Sequence, residues 1–505
     1  MSKGKTKFKI PKRVVDFALL GWFLVSFFFL FNSESSFGIL PPPREDFSFF
    51  LPKDLLIEDS WYGLYFRGSL IGYSHFFNRV LEIKEGKGYL MKNETKLTLP
   101  LLSTYQKIDI VTQTQLSQDY SLRIFKLNLK ANKYFLREEL ERLSSNKFLL
   151  RLVSPARKEK REIVLGKQIP ASLLSPFSFN YLPLRKRIET PFIDPLLGKS
   201  LSLRIENKGR TTIKVEGKTT KAYRLALELE GSKAEVFVDE RGRLLKAKFL
   251  GFEFLKEKPS SLFRKISFSS QTDLILSFSI PVVGILNKDK LTSLEIKIKG
   301  LPWDYEARSL NFYNQQVINK EGSDLILRIR RPKPKKILKI PLKEEVLKKA
   351  KIKEDYLRES SLKIKKLALS IVGEEKDILK IIKKLFSWID RNIRKIPTFS
   401  LFDSEDVLEL KQGDCTELSL LLVSFLRSLG IPSYVNIGLV YQDGRFFYHA
   451  WVSVFAGEWI DVDVALSQTI ADATHIKLFR GIENQTKLLN FLGNIKIEIL
   501  KAFYD

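Results

Sequence analysis

From Trp61 to Lys256 apolar and polar residues alternate in short runs broken by turn residues. A two-residue period sustained this long leaves the chain little to fold into except antiparallel strands with one buried face. Leu64-Tyr65-Phe66 turns at Arg67-Gly68 into Leu70-Ile71-Gly72-Tyr73, Thr212 to Val215 turns at Glu216-Gly217, and Ala234 to Val238 turns through Asp239 to Gly242. These runs predict a β-rich domain over 58–262. The alternation returns in Leu294 to Lys299 and Leu325 to Arg330, which predicts a second, small β domain over 263–331. The basic, proline-spaced stretch 332–341 then reads as a hinge.

Helical spacing takes over in the last third. Ile378, Ile381, Ile382, Leu385, Ile389 and Ile393 draw one apolar stripe that stops before Pro397. Leu418, Leu421, Leu422, Phe425, Leu426 and Leu429 draw another, started by Asp414 as an N-cap and stopped by Gly430. Strands follow at Ser433 to Val440 and Phe446 to Phe455, joined by the turn Gln442-Asp443-Gly444-Arg445, and a third runs from Trp459 to Val464. Residues 342–505 are thus expected to form one mixed domain. With 505 residues the chain is too long for a single core, and the predicted fold class is α+β and multidomain.

The first residues address the protein. Lys3, Lys5, Lys7, Lys9, Lys12 and Arg13 precede an apolar run from Val14 to Phe31, which as a helix reaches about 27 Å, close to the hydrocarbon thickness of a bilayer. Residues 1–13 therefore read as a basic cytoplasmic segment and 14–31 as a transmembrane signal anchor, oriented by the positive-inside rule. Residues 32–57, with Pro41-Pro42-Pro43 as a stiff extended spacer, read as a linker. The predicted localisation is a single-pass protein of the cytoplasmic membrane with its catalytic domain on the extracytoplasmic, periplasmic side. Ser33-Glu34-Ser35 leaves cleavage of the anchor as the alternative.

A formal charge of +27 raises the question of nucleic acid. Basic residues are spread through nearly every segment and no recognition motif accompanies them, so the sequence predicts no nucleic-acid partner. The chain has one cysteine, Cys415, and so no intramolecular disulfide. His75 stands in the strand pattern with no cysteine or second histidine nearby, and no metal or cofactor is expected. No acidic loop has the ligand spacing of a calcium site.

Cys415 falls in the first turn of the Asp414-capped helix, where unpaired backbone N–H groups and the helix dipole favour thiolate over thiol. His449 lies on the second strand and Asp463 on the third, and adjacent antiparallel strands can bring imidazole and carboxylate within hydrogen-bond reach while the sheet packs on the cysteine helix. Thiol, base and orienting carboxylate are the parts that nucleophilic acyl transfer requires. Asp461 shares the strand face of Asp463, so either acid could reach the ring.

The runs Gly413-Asp414-Cys415-Thr416-Glu417, Leu429-Gly430-Ile431-Pro432, Tyr448-His449-Ala450-Trp451-Val452, Gly457-Glu458-Trp459-Ile460-Asp461-Val462-Asp463 and Asp472-Ala473-Thr474-His475-Ile476 together resemble the transglutaminase-like superfamily, in its bacterial membrane-anchored type. The resemblance spans about 342–481. It implies a papain-like α+β core with Cys415 as nucleophile, His449 as base and Asp463 as the orienting acid. Members commonly carry Asp-Pro-Thr at the third position, whereas this chain has Asp463-Val464-Ala465, and His475 is taken as structural or supporting. The implied function is a cysteine acyltransferase, protease or amidase acting on amide bonds of a protein or peptide substrate through a thioester. The alternative is a catalytically inactive envelope scaffold or binding protein.

Overall fold

A computed structural model describes residues 58–505 except 84–85, 102–103, 118–121, 145–146, 165–186, 195–198, 230–231, 241–242, 267–276, 285, 302–305, 335–336, 350–360, 397–403, 482–490 and 492. The described residues fall into two compact units, one ending at Ser277 and the other running from Phe278 to Asp505.

In the first unit the alternating runs become one 14-stranded antiparallel sheet. Neighbours in sequence pair, except Lys158–Val164 and Arg187–Asp194, which stand at opposite ends of the strand order, and the opening strand, Glu58–Phe66, also pairs with the closing one, Phe252–Lys256, in the register Leu64↔Phe254. The period of two is visible in burial. In the strand Leu122–Ala131, Phe125, Leu127, Leu129 and Ala131 are buried while Asn128 and Lys130 are exposed. The turns at Arg67-Gly68 and Glu216-Gly217 join hairpins as the sequence predicts.

The second unit is built on two sheets. A five-stranded sheet holds Arg445–Phe455 at its middle, flanked by Ser433–Gln442 and Ile280–Pro281, with Ile476–Arg480 and Trp459–Val462 completing it. A four-stranded sheet pairs Gln315–Glu321, Asp324–Arg330, Leu291–Lys299 and the chain's last strand, Lys496–Tyr504. Leu294, Ile296, Leu327 and Ile329 of that second sheet share one core with Ile437, Leu439 and Ile476 of the first. The segment that the alternation marks as a small β domain is thus packed into the same unit as the cysteine helix.

The helices Leu362–Val372, Ile378–Asn392, Ser404–Leu410 and Cys415–Ser428 gather beside the five-stranded sheet. Asp377 caps the second by accepting from the Lys380 N–H at 3.0 Å, and its stripe Ile378, Ile381, Ile382, Leu385 and Ile389 is buried as the spacing predicts. Cys415–Ser428 goes further. Every residue from Thr416 to Arg427 is buried, so this helix is enclosed on all sides, not amphipathic.

Two expectations are corrected. Strand accounts for 57% of the structure and helix for 18%, so the protein is mostly β and not α+β. Period-two alternation runs through most of the chain, while helical spacing is confined to a few short segments of the second unit. Among the described residues no helix is long and apolar enough to cross a membrane. The longest, Ile378–Asn392, has 15 residues and a lysine-bearing polar face, and at about 1.5 Å per residue it falls short of a bilayer's hydrocarbon core of about 30 Å. The predicted transmembrane helix 14–31 lies outside the described residues, and the single-pass membrane localisation built on it is withdrawn.

Candidate active site

The site starts from the cap of the cysteine helix. The Asp414 carboxylate accepts from the Thr416 N–H at 2.9 Å, and the Glu417 carboxylate accepts from the Asp414 N–H at 2.9 Å, a reciprocal capping box. Just upstream, Gln412–Gly413 pairs in parallel with Arg394–Lys395, which ties the helix start to the end of the helix Ile378–Asn392. Cys415 is thereby placed at the first helical position and is half-buried. At the far end Gly430 follows the helix with φ of 74° and donates to the Arg427 carbonyl at 3.0 Å.

The histidine strand is delivered by a tight hairpin. Asp443 and Gly444 take φ of 48° and 80°, the positive pair that a two-residue hairpin turn requires. It sets Gly438 opposite His449 and Asn436 opposite Trp451. A Cβ on Gly438 would stand 1.9 Å from the Ile476 carbonyl oxygen and 2.9 Å from the Trp451 ring. Glycine there lets the strand beginning at Ile476 close in and Trp451 pack beside His449, their rings 6.3 Å apart and nearly parallel.

His449 Nε2 meets Asp463 Oδ2 at 2.7 Å. The same ring is bonded to the Cys415 thiol, which is also bonded to the Ala450 backbone. The residues named from the sequence, Cys415, His449 and Asp463, therefore stand in one contiguous chain. Asp463 lies just past the end of the third strand, where it exchanges backbone hydrogen bonds with Gln468 at 2.7 and 2.8 Å, and its second oxygen accepts from the Leu466 N–H at 3.0 Å. That short turn stands where the Asp-Pro-Thr pattern is missing.

Asp461 is turned to a different task. It is fully buried and pairs with Lys477 Nζ at 2.8 Å, accepting also from Ser453 Oγ at 2.7 Å and Asn314 Nδ2 at 3.0 Å. Lys477 in turn donates to Asn314 Oδ1 at 3.0 Å. Burial pulls the Lys477 ammonium down to about 8, against the stabilising charge of Asp461. Neither Asn314 nor Lys477 can be recognised from sequence, because a charged side chain at an inward strand position reads as a surface residue until its partner is known.

His475, outside the predicted triad, sits inside the site. It is fully buried, its Nε2 is 3.0 Å from the same Asp463 oxygen, and its Nδ1 lies 3.2 Å from the Asp472 carbonyl oxygen and 3.3 Å from Asp472 Oδ1. His75 is elsewhere, on the first unit's sheet, stacked on Trp61 and bonded to Asp59 at 2.7 Å.

The electrostatics depart from the helix-dipole expectation. Burial pushes the Cys415 thiol up, against the pull of His449, and Asp414 adds to the rise. Burial opposes charge on His449, but Asp463 and Cys415 overcome it and push the ring up to about 10. Asp463 is held far below the usual carboxylate range by His449 and His475, in spite of burial. Cys415 and His449 each shift the other's ionisation, so sulfur and ring titrate as a coupled pair. Donor atoms of His449, Asp463 and His475 lie within 4.8 Å of one another, a spacing a cation could use. Both ring Nε2 atoms are already spent on one carboxylate oxygen, so the group acts as a hydrogen-bonded relay. An open hollow of about 1330 Å³ in the first unit, lined by residues including Tyr65, Arg204, Glu228 and Lys265, contains no comparable nucleophile and base.

Residues 365–464 match the transglutaminase-like superfamily. The chain carries a transglutaminase-like domain. The matched stretch takes in Cys415, His449 and Asp463 and ends before His475. No curated protein matches the chain. Among solved structures, a candidate cysteine protease from Cytophaga hutchinsonii is 14% identical, with 43% of this chain and 87% of that one covered and a TM-score of 0.25. A β-barrel-like protein from Brucella abortus is 11% identical over 40% of this chain and 95% of its own, with a TM-score of 0.30. A candidate protease from Parabacteroides distasonis is 10% identical over 78% and 69%, with a TM-score of 0.19.

Proposed function

We propose that the protein is a cysteine enzyme that cleaves or transfers acyl groups at amide bonds of a protein or peptide through a thioester on Cys415. One observation carries the proposal: His449 is bonded both to Asp463, through Nε2, and to the lone thiol. With Nε2 committed to a carboxylate, Nδ1 is the ring nitrogen left to exchange a proton with sulfur.

The sulfur attacks the amide carbonyl carbon as its proton passes to His449. The Cys415 backbone N–H, at the start of the helix, offers one hydrogen bond to the oxyanion. Collapse breaks the C–N bond, and the departing amine takes the proton from His449, leaving a thioester. Water or an amine then attacks the thioester and gives its proton to His449, and the sulfur leaves with that proton. Water completes hydrolysis and an amine completes transfer.

Iodoacetamide labelling tests the proposal directly, because the chain has a single cysteine. Cys415 should alkylate rapidly at neutral pH and more slowly in His449→Ala. Slow labelling that ignores the substitution would favour the scaffold alternative. Mass spectrometry of proteins incubated with wild type or Cys415→Ala then separates cleaved fragments from new isopeptide links.

A further inference from the structure

His449 and His475 both aim Nε2 at Oδ2 of Asp463, at 2.7 and 3.0 Å, and the rings differ in what lies behind them. Nδ1 of His475 faces only oxygen acceptors, the carbonyl and carboxylate of Asp472. A neutral imidazole has one N–H and one lone pair, so it would turn a lone pair toward oxygen on one side or the other. Both nitrogens must therefore carry protons, which makes His475 a cation sealed from solvent. The far nitrogen of His449 faces a thiol, which can accept or donate. One ring is locked; the other is free to exchange a proton.

We infer that His475 is a positioning residue for the thiol–imidazole pair: its N–H holds Asp463 in line with His449, and its fixed charge cancels one of two buried carboxylates. The inference rests on the reading of Cys415 as nucleophile and His449 as its base. Asp463 and Asp472 bring two negative charges and His475 one positive, so with the Cys415–His449 pair the cluster carries one net negative charge whether the shared proton sits on sulfur or on the ring. The remaining neighbours do not disturb that balance. Trp451 packs its edge at 5.1 Å from His475, Lys477 is matched by Asp461 at 2.8 Å, and Lys395, bonded to the Val464 carbonyl, is matched by Asp390 at 2.7 Å. Burial opposes charge on His475, yet its bonds to Asp463 and Asp472 push the ring up to about 10, in agreement with the donor count.

Without the second ring, His449 would face both carboxylates alone. In His475→Gln the alkaline limb of the Cys415 alkylation profile should move up by about one pH unit. His475→Gln with Asp472→Asn removes the unmatched charge and should bring the limb back toward wild type, a rescue that a purely structural role does not predict. The charge state can be read without any substitution. The full chain has 3 histidines, and in ¹⁵N-histidine spectra the His475 ring should keep both N–H protons from pH 6 to 9, whatever the state of His449. Its resonance is assigned by loss in His475→Gln or, if that variant does not fold, by elimination with His75→Gln and His449→Gln. A neutral His475 ring at pH 7 to 8 would overturn the inference. So would a cationic ring whose replacement leaves the profile of a folded protein unmoved. Alkylation indifferent to His449→Ala would instead sink the nucleophile reading, and the positioning role with it, while the cation itself stood.

Discussion

The two units handle charge in opposite ways. On the 14-stranded sheet ionisable side chains mostly stand outside as cross-strand pairs, such as Lys126 with Glu139 at 2.8 Å. The buried polar positions there are largely neutral, Ser74, Asn93, Thr95 and Thr112 among them, with Glu138 and Glu257 as exceptions, the latter matched by Lys265 at 2.6 Å. The second unit buries Asp461, Asp463, Asp472, His475 and Lys477 to 3% exposure or less. Removing ions from water costs several kcal/mol each unless partners and hydrogen bonds are supplied. A sheet that only needs to fold has no use for that expense; a site that must hold one carboxylate at one angle does.

The comparison breaks most sharply at Lys477. Lys477→Met strands Asp461 as a buried unpaired carboxylate and should destabilise the second unit by about 3–5 kcal/mol in denaturant titration. A loss under about 1 kcal/mol would mean the pair is not sealed from water.

Next in size is Asp463→Asn, which keeps the shape but removes the charge that holds His449 protonated at Nε2. Alkylation of Cys415 at neutral pH should fall roughly 100-fold. An unchanged rate would show that the carboxylate does not act through the ring.

The third expectation concerns pH. His449 and His475 are raised from 6.5 to about 10, so the stability they add is fully present below pH 6.5 and is lost as pH climbs through 10. Asp463 and Asp472 are held below the usual carboxylate range, so their contribution is present above about pH 4 and is lost as pH falls through their lowered values. Melting of the second unit should therefore be flat from about pH 4 to 6.5 and decline on both sides, on the alkaline side between 6.5 and 10. A melt indifferent to pH between 7 and 10 would contradict the raised histidines.

The smallest effect belongs to the first unit. Lys126→Ala should change stability by less than about 1 kcal/mol, and the change should shrink in molar salt, as expected for an exposed pair. A larger, salt-insensitive loss would erase the contrast between the units.

How much of this was legible beforehand follows the range of the interactions. Arg67-Gly68 and Glu216-Gly217 marked their hairpins because turn chemistry is local. Asp414 marked the start of the cysteine helix, and its capping box is there. The motif around Cys415, His449 and Asp463 named three residues that the fold brings into one chain. Three misjudgements share a cause. The overall class was read from the variety of element types, but the long sheet outweighs the helices. The cysteine helix showed a single apolar stripe because the rest of its surface carries polar residues such as Thr416, Ser419 and Ser424, whose burial no periodicity reveals. Cys415 was assigned a helix-stabilised thiolate, whereas burial pushes the thiol up.

By itself the sequence determined where many strands and helices begin, which residue is the lone thiol, and which histidine and pair of acids could accompany it, because period, capping and motif spacing act over a few residues. Tertiary structure alone decided that Asp463 and not Asp461 meets the ring, that Lys477 is buried against Asp461, and that His475 comes to the same oxygen as His449. Those choices depend on how far each group is drawn from water and what faces it there, and the faces come from strands far apart in the chain.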